Sequence, residues 1–330
     1  MEISDPIYFI DNKTYSESTS NVRYLNIVDH PNKSKWVVFK SYDLSREIFR
    51  KQVSHFINIG FGCIVDNSAE LTNSDLVDFL IGHNNLNEVR ILTNGFRDMD
   101  SGKIDELISK GCDIVREDFF IKYGHQYYQP TYTTKKYPYK QFLMLNGKPK
   151  PLRTLLTSLI YNEGLDDYGY ISYFTDNRNK NFYFEKTEDV FDLELTETLK
   201  EDVLRGIELI GGERILDCHS FNYTVSHSRR YNADFYASVE FVIVSESDIG
   251  EGVRFITEKT LKAIQQNKKF ILVSSVGMLK ETKRLYKELF GVDISHLTDW
   301  CDTSYDDIDN DVERVLKIKD IISNILLNSN

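Results

Sequence analysis

The 330-residue chain has no apolar run near the about 20 residues that a membrane-crossing helix needs, so a span of that kind is excluded. Its opening residues, Met1-Glu2-Ile3-Ser4-Asp5, show neither the basic nor the apolar stretch of a secretory signal, and a cytoplasmic location is the expectation. Cysteine is sparse and scattered: Cys63, Cys112, Cys218 and Cys301 form no Cys-x-x-Cys pair. That spacing argues against a disulfide framework and a zinc site, and suits a reducing compartment. No internal repeat is present. The His-Glu-x-x-His, P-loop and Gly-x-Gly-x-x-Gly patterns are all missing, so metalloprotease, ATPase and classical dehydrogenase readings lack their usual marks. Acid is also missing locally: between Ile121 and Ile160 there is no Asp or Glu, although the formal net charge of the chain is −11.

The acid-free stretch holds Lys122, Lys135, Lys136, Lys140, Lys148, Lys150 and Arg153, interleaved with Tyr123, Tyr127, Tyr128, Tyr132, Tyr137 and Tyr139. Such a band is either an anion-binding surface or a basic connector between domains. On the first reading Lys135, Lys136 and Lys140 meet phosphates and Tyr137 stacks on an extruded base. The net charge of −11 argues the other way. Hydrophobic residues at 41% and charged ones at 28% describe an ordinary globular chain, and its length favours two domains.

Alternating patterns run through both halves. In the first, Trp36-Val37-Val38-Phe39, Gly62 to Asp66, Val89 to Thr93 and Asp113-Ile114-Val115 read as strands. Helical patterns separate them at Ser45 to Phe56, Asn73 to Ile81 and Lys103 to Lys110. In the second half, Tyr137 to Met144 leads into a helix from Leu152 to Glu163, and a further helix covers Glu194 to Leu209. The strand Ser238 to Val244 is ended by Ser245-Glu246-Ser247-Asp248; a helix is N-capped by Thr257, and Phe270 to Val273 is the next strand. Gly277 then opens the amphipathic run Met278 to Phe290, and Val312 to Leu327 is the last helix. Strand–helix–strand units imply parallel pairing. The expected fold is α/β, two Rossmann-like lobes facing a cleft. Residues 1–140 would form the first lobe, 141–300 the second, and 301–330 a helix packing back across them.

In such sheets ligands sit beyond the carboxyl ends of the strands. Glu246, Glu258 and Lys259 would gather there, with the N-terminus of the helix begun by Thr257. Lys259 works against the helix dipole, which gives it a reason to serve an anion; Glu258 is favoured by the same dipole and is equally an ordinary helix start. The turn Asn146-Gly147-Lys148-Pro149-Lys150-Pro151 followed by Arg153 opens another helix. It is either a phosphate-holding turn, with Asn146 and Arg153 as contacts, or a structural turn with Pro151 at the first helical position. Asp98-Met99-Asp100 lies in a polar loop and reads as a turn rather than a metal pair.

Glu246 with Phe255-Ile256-Thr257-Glu258-Lys259-Thr260 resembles the donor-binding signature of fucosyltransferase-type glycosyltransferases. The ordered set Leu145 to Arg153, Gly164 to Gly169, Tyr231-Asn232, the Thr-Glu-Lys-Thr block and Asp302 to Asp307 is similar to putative glycosyltransferases of phages and large DNA viruses. That resemblance covers roughly residues 140–315, and the family often has a basic residue where Gly147 stands. It implies a GT-B architecture, a host-cytoplasmic setting and metal-independent sugar transfer, with no cofactor and a nucleoside-diphosphate sugar as substrate. Glu246, Thr257, Glu258, Lys259, Asn146 and Arg153 would hold the donor, and Arg229 and Arg230 would neutralise the leaving diphosphate, unless they are simply a solvated loop. Glu70 or Asp66, after a first-lobe strand, would take the acceptor proton or merely cap a helix. The acceptor is open among polysaccharide, protein and a modified DNA base such as a hydroxymethylated pyrimidine. The alternative is a non-catalytic nucleotide- or sugar-binding module.

Overall fold

A computed structural model describes residues 8–9, 36–40, 47–58, 62–67, 72, 74–87, 89–93, 101–116, 129–132, 136–146, 149–173, 187–212, 230–246 and 256–328. The chain divides into two compact units, Met1–Phe119 and Phe120–Asn330.

The first unit runs β1 (Tyr8–Phe9), β2 (Trp36–Lys40), α1 (Glu47–Asn58), β3 (Gly62–Asn67), α2 (Ser74–Ile81), β4 (Val89–Thr93), α3 (Ser101–Ser109) and β5 (Asp113–Arg116). All its strand pairs are parallel, and their spatial order is β1-β2-β3-β4-β5. Alternation along the strands turns Cys63, Val65, Val89 and Ile91 to one face, where Val53 of α1, Leu76, Val77 and Leu80 of α2 and Leu107 of α3 complete a core. Strand order follows chain order, so right-handed crossovers leave all three helices on that face. This parallel α/β unit is compatible with the expected Rossmann-like fold, and among its described strands the order does not reverse.

The second unit runs β6 (Gln129–Thr131), β7 (Lys140–Leu145), α4 (Pro151–Asn162), β8 (Gly169–Ser172), α5 (Glu197–Ile210), β9 (Arg230–Asn232), α6 (Ala233–Ala237), β10 (Val239–Ser245), α7 (Glu258–Gln265), β11 (Lys269–Val273), α8 (Met278–Phe290) and α9 (Asp311–Asn328). Its main sheet is parallel with order β11-β10-β7-β8, and β6 pairs with β9 beside it. Near-continuous burial of β7, β10 and β11 suits a sheet covered on both faces.

Two boundaries shift from the expectation. Residues 129–131 are hydrogen-bonded to 230–232, which stitches the segment before 140 into the second unit. The last helix, α9, lies against α4 and β11 of its own unit. Lys319 reaches Glu163 at 2.7 Å, and the buried Arg314 donates through Nε to the Ser274 carbonyl at 2.9 Å.

Ahead of α9, Tyr305 and Asp306 act as a clip. The Tyr305 hydroxyl accepts from Leu272 N at 3.1 Å, and Asp306 accepts from Leu279 N and Lys280 N at 3.0 Å each. The clip therefore occupies an N–H of the edge strand β11 and caps α8, whose own N-cap residue, Gly277, has no side chain to do so.

Candidate functional site at the carboxyl edge of the second sheet

From β7 the chain crosses through α4 to β8 on one side, whereas β10 and then β11 lie on the other. The strand order thus reverses between β7 and β10, and right-handed crossovers put α4 and α7 on opposite faces there. This is the crevice position at which open α/β sheets receive ligands. The register pairs Val242 with Leu143 and Ile243 with Met144, so two residues further on Ser245 is level with Asn146. Side chains alternate along a strand, which sends Ser245 and Glu246 to opposite faces.

Glu246 points to the α7 face and is fully buried. One carboxylate oxygen accepts from Thr257 N at 3.0 Å and from Thr260 Oγ1 at 2.6 Å; the other accepts from Thr257 Oγ1 at 2.5 Å. Thr257 is the N-cap, as its sequence context indicated, and its hydroxyl also accepts from Lys259 N at 3.4 Å. Glu246 was expected to meet ribose or sugar hydroxyls. Three bonds instead tie it to the start of α7, where a carboxylate also answers the positive end of the helix dipole. Its observed role is to position α7, and the N-terminus of that helix already has its anion.

Lys259 and Glu258 lie on the first turn with side chains 19% and 23% exposed. The Lys259 ammonium donates to Glu258 Oε1 and to Thr257 Oγ1, both at 3.1 Å. Burial would raise the Glu258 carboxyl, but Lys259, Lys262 and the hydrogen bonds outweigh it and hold the group at about 2. Glu258 is therefore an acceptor at neutral pH rather than a proton donor.

On the α4 face, Asn146 and Arg153 are buried. Asn146 Nδ2 donates to Thr157 Oγ1 at 2.9 Å, and Thr157 Oγ1 donates to the Arg153 carbonyl at 2.7 Å. Arg153 reaches across to the end of β10, where Nη2 donates to the Ser245 carbonyl at 3.0 Å. Helix α4 begins with Pro151 after Lys150, and no side chain caps it. Buried Asn146 Oδ1 and Ser245 Oγ have no hydrogen-bond partner.

The remaining sequence candidates fall elsewhere. Glu70, Arg229 and Lys135 lie outside the described residues. Asp66 belongs to β3 and Arg230 to β9, and their side chains are not among those described. Lys136 is exposed. Lys140 starts β7, with its ammonium bonded to the Asp167 carbonyl at 2.8 Å and 5.6 Å from the Tyr170 ring centroid. Tyr137 is stacked on Phe235 with centroids 4.1 Å apart, and its hydroxyl accepts from Asn232 Nδ2 at 3.0 Å. Its ring is packed, which corrects the expectation that it stacks on a base. Lys140 also opens the strand that Asn146 follows; six strand residues span about 20 Å. Lys136, Tyr137 and Lys140 of the basic band therefore sit at the amino edge of the sheet, far from the crevice, whereas Arg153 of the same band lies at it.

Sequence reasoning missed Ser245 and Thr260. A serine ending a strand reads as the start of a turn, and Thr260 gains its role only through Glu246, fourteen residues away. Among the described residues no helix is long and apolar enough to cross a membrane, and no group of three or more metal-ligating side chains occurs. Comparison with family models, curated proteins and solved structures gives no match to this chain.

Proposed function

We propose that the second unit binds a nucleoside-diphosphate sugar at the crevice between β7 and β10, and that the chain is a metal-independent glycosyltransferase of GT-B type. The observation that carries this reading is the coincidence of the strand-order reversal with a set of buried polar groups. The N-terminus of α4, Arg153 and Lys259 supply positive charge for a diphosphate without a cation. Glu258, ionised and beside Lys259, accepts from hydroxyl groups of the ligand. Arg229 and Arg230 join the leaving diphosphate, and the first unit supplies the acceptor and a base such as Glu70 or Asp66. The acceptor is a hydroxyl on a polysaccharide, a protein or a modified DNA base, and the host cytoplasm is the setting for a phage- or virus-encoded enzyme.

Two observations favour a second reading, a non-catalytic nucleotide- or sugar-binding module. Glu246 is committed to bracing α7, and the first unit's described strands lack the reversal that would give that unit a matching ligand edge. A thermal-shift screen against UDP, GDP and their sugar conjugates separates the outcomes. Binding followed by diphosphate release in the presence of acceptor supports the transferase; binding without turnover supports the module; no shift with any nucleotide removes both. Lys259→Ala should abolish the shift while changing the melting temperature of the ligand-free protein little, because a partly exposed pair contributes about 1 kcal/mol or less.

A further inference from the structure

Asn146 and Ser245 end neighbouring strands at one level, turned to the same face of the sheet. Each is 1% exposed, and each carries one buried oxygen, Asn146 Oδ1 and Ser245 Oγ, with no hydrogen-bond partner. Buried polar atoms are rarely left so, and each exception calls for a water, an ion or a ligand. The orientation of the Asn146 amide follows from its neighbour. Thr157 Oγ1 spends its proton on the Arg153 carbonyl at 2.7 Å, so the amide end facing it at 2.9 Å must be the NH2, and the carbonyl oxygen is the open end.

The open pair is thus one pure acceptor beside one hydroxyl. A phosphate oxygen satisfies Ser245 but brings no proton to Asn146. A single hydroxyl satisfies both, donating to Asn146 Oδ1 and accepting from Ser245 Oγ. Two O–H···O bonds of about 2.7 Å meeting near the tetrahedral angle at one oxygen span about 4.4 Å, close to the about 4.8 Å between neighbouring strands. Arg153, bonded to the Ser245 carbonyl at 3.0 Å, places a cation next to the pair, where a hydroxyl carried by a phosphorylated ligand would lie.

We propose that Asn146 and Ser245 form a hydroxyl-recognition position of the crevice, taking a hydroxyl of the ribose or of the transferred sugar, with Ser245 as a binding residue of the site. The proposal rests on the nucleotide-sugar reading above. The test is calorimetric titration of wild type and Ser245→Ala with UDP, GDP, their 2′,3′-dideoxy forms, UDP-glucose and GDP-mannose. Ser245→Ala removes a hydroxyl that has no partner, so its unfolding midpoint should equal or exceed that of wild type. A loss of ten-fold or more on UDP or GDP, absent with the dideoxy form, identifies a ribose hydroxyl. The same loss confined to the sugar conjugates identifies the transferred sugar. Equal affinity of variant and wild type for every nucleotide that binds means that the pair holds a buried water only and overturns the inference while leaving the crevice reading intact. An equal loss on ribo- and dideoxy forms also overturns it, because the partner is then not a hydroxyl. Absence of binding by wild type removes the nucleotide-sugar reading itself.

Discussion

Replacing Glu246 by alanine tests whether this residue builds the crevice or touches its ligand. The substitution strips three hydrogen bonds from the start of α7 and leaves Thr257 N and the Thr257 and Thr260 hydroxyls without their acceptor, all in a buried setting. Hydrogen bonds to a carboxylate are each worth about 1.5–3 kcal/mol, and orphaned buried donors add to the loss. Bonds sharing one side chain are not additive, so about 3–5 kcal/mol is the expected total. With a urea dependence of about 2–3 kcal/mol per molar, the midpoint should fall by about 1–2 M. The chain has two tryptophans, Trp36 and Trp300, and Trp300 packs on Phe241 of β10 with ring centroids 5.1 Å apart. A Trp36→Phe background therefore makes fluorescence report the second unit alone. Glu246→Gln keeps the shape and one acceptor oxygen, and should lose less than half as much. An unchanged midpoint for Glu246→Ala, together with lost nucleotide binding, would refute the reasoning and return Glu246 to the ligand.

Other expectations follow from packing and from charge. A methyl group on Gly206 of α5 would sit 2.0 Å from the Ser158 backbone oxygen of α4, so Gly206→Ala must push the two helices apart; a loss of about 2–4 kcal/mol in the same fluorescence assay is expected, and an unaltered midpoint contradicts the packing. Glu258 is depressed from 4.5 to about 2, so its contribution to stability is complete above pH 4.5 and is lost as the pH falls towards 2. Glu258→Gln should flatten that part of the acid limb of the stability–pH curve, and identical limbs for variant and wild type would deny the ion pair its role.

How much of this was legible in the sequence depended on the range of the interactions. Helix α8 spans Met278–Phe290 as its pattern indicated, because Gly277 and Gly291 adopt φ of 74° and 67° at its two ends and stop it locally. The four-residue strand β8 escaped notice since it is short and opens at Gly169, where a side chain would strike the Phe142 ring at 2.2 Å. Strands β6 and β9 are three residues each and exist only through pairing about a hundred residues apart. The position of Lys259 on a first helical turn was readable, whereas the fate of Glu246 was not. Its partners lie eleven and fourteen residues on, across a segment whose path no local pattern specifies. The Asp302 to Asp307 motif was visible as part of the family resemblance, but what it does in the fold was not. Its work, capping α8 through Asp306, is set by tertiary packing.

The central claim is that the reversal between β7 and β10 is the ligand site. Soaking crystals with whichever of UDP and GDP raises the melting temperature tests it most directly. The account predicts density beyond Asn146 and Ser245, between the N-termini of α4 and α7, with the diphosphate on Arg153. Density at the amino edge near Lys140, or in the first unit alone, would contradict it.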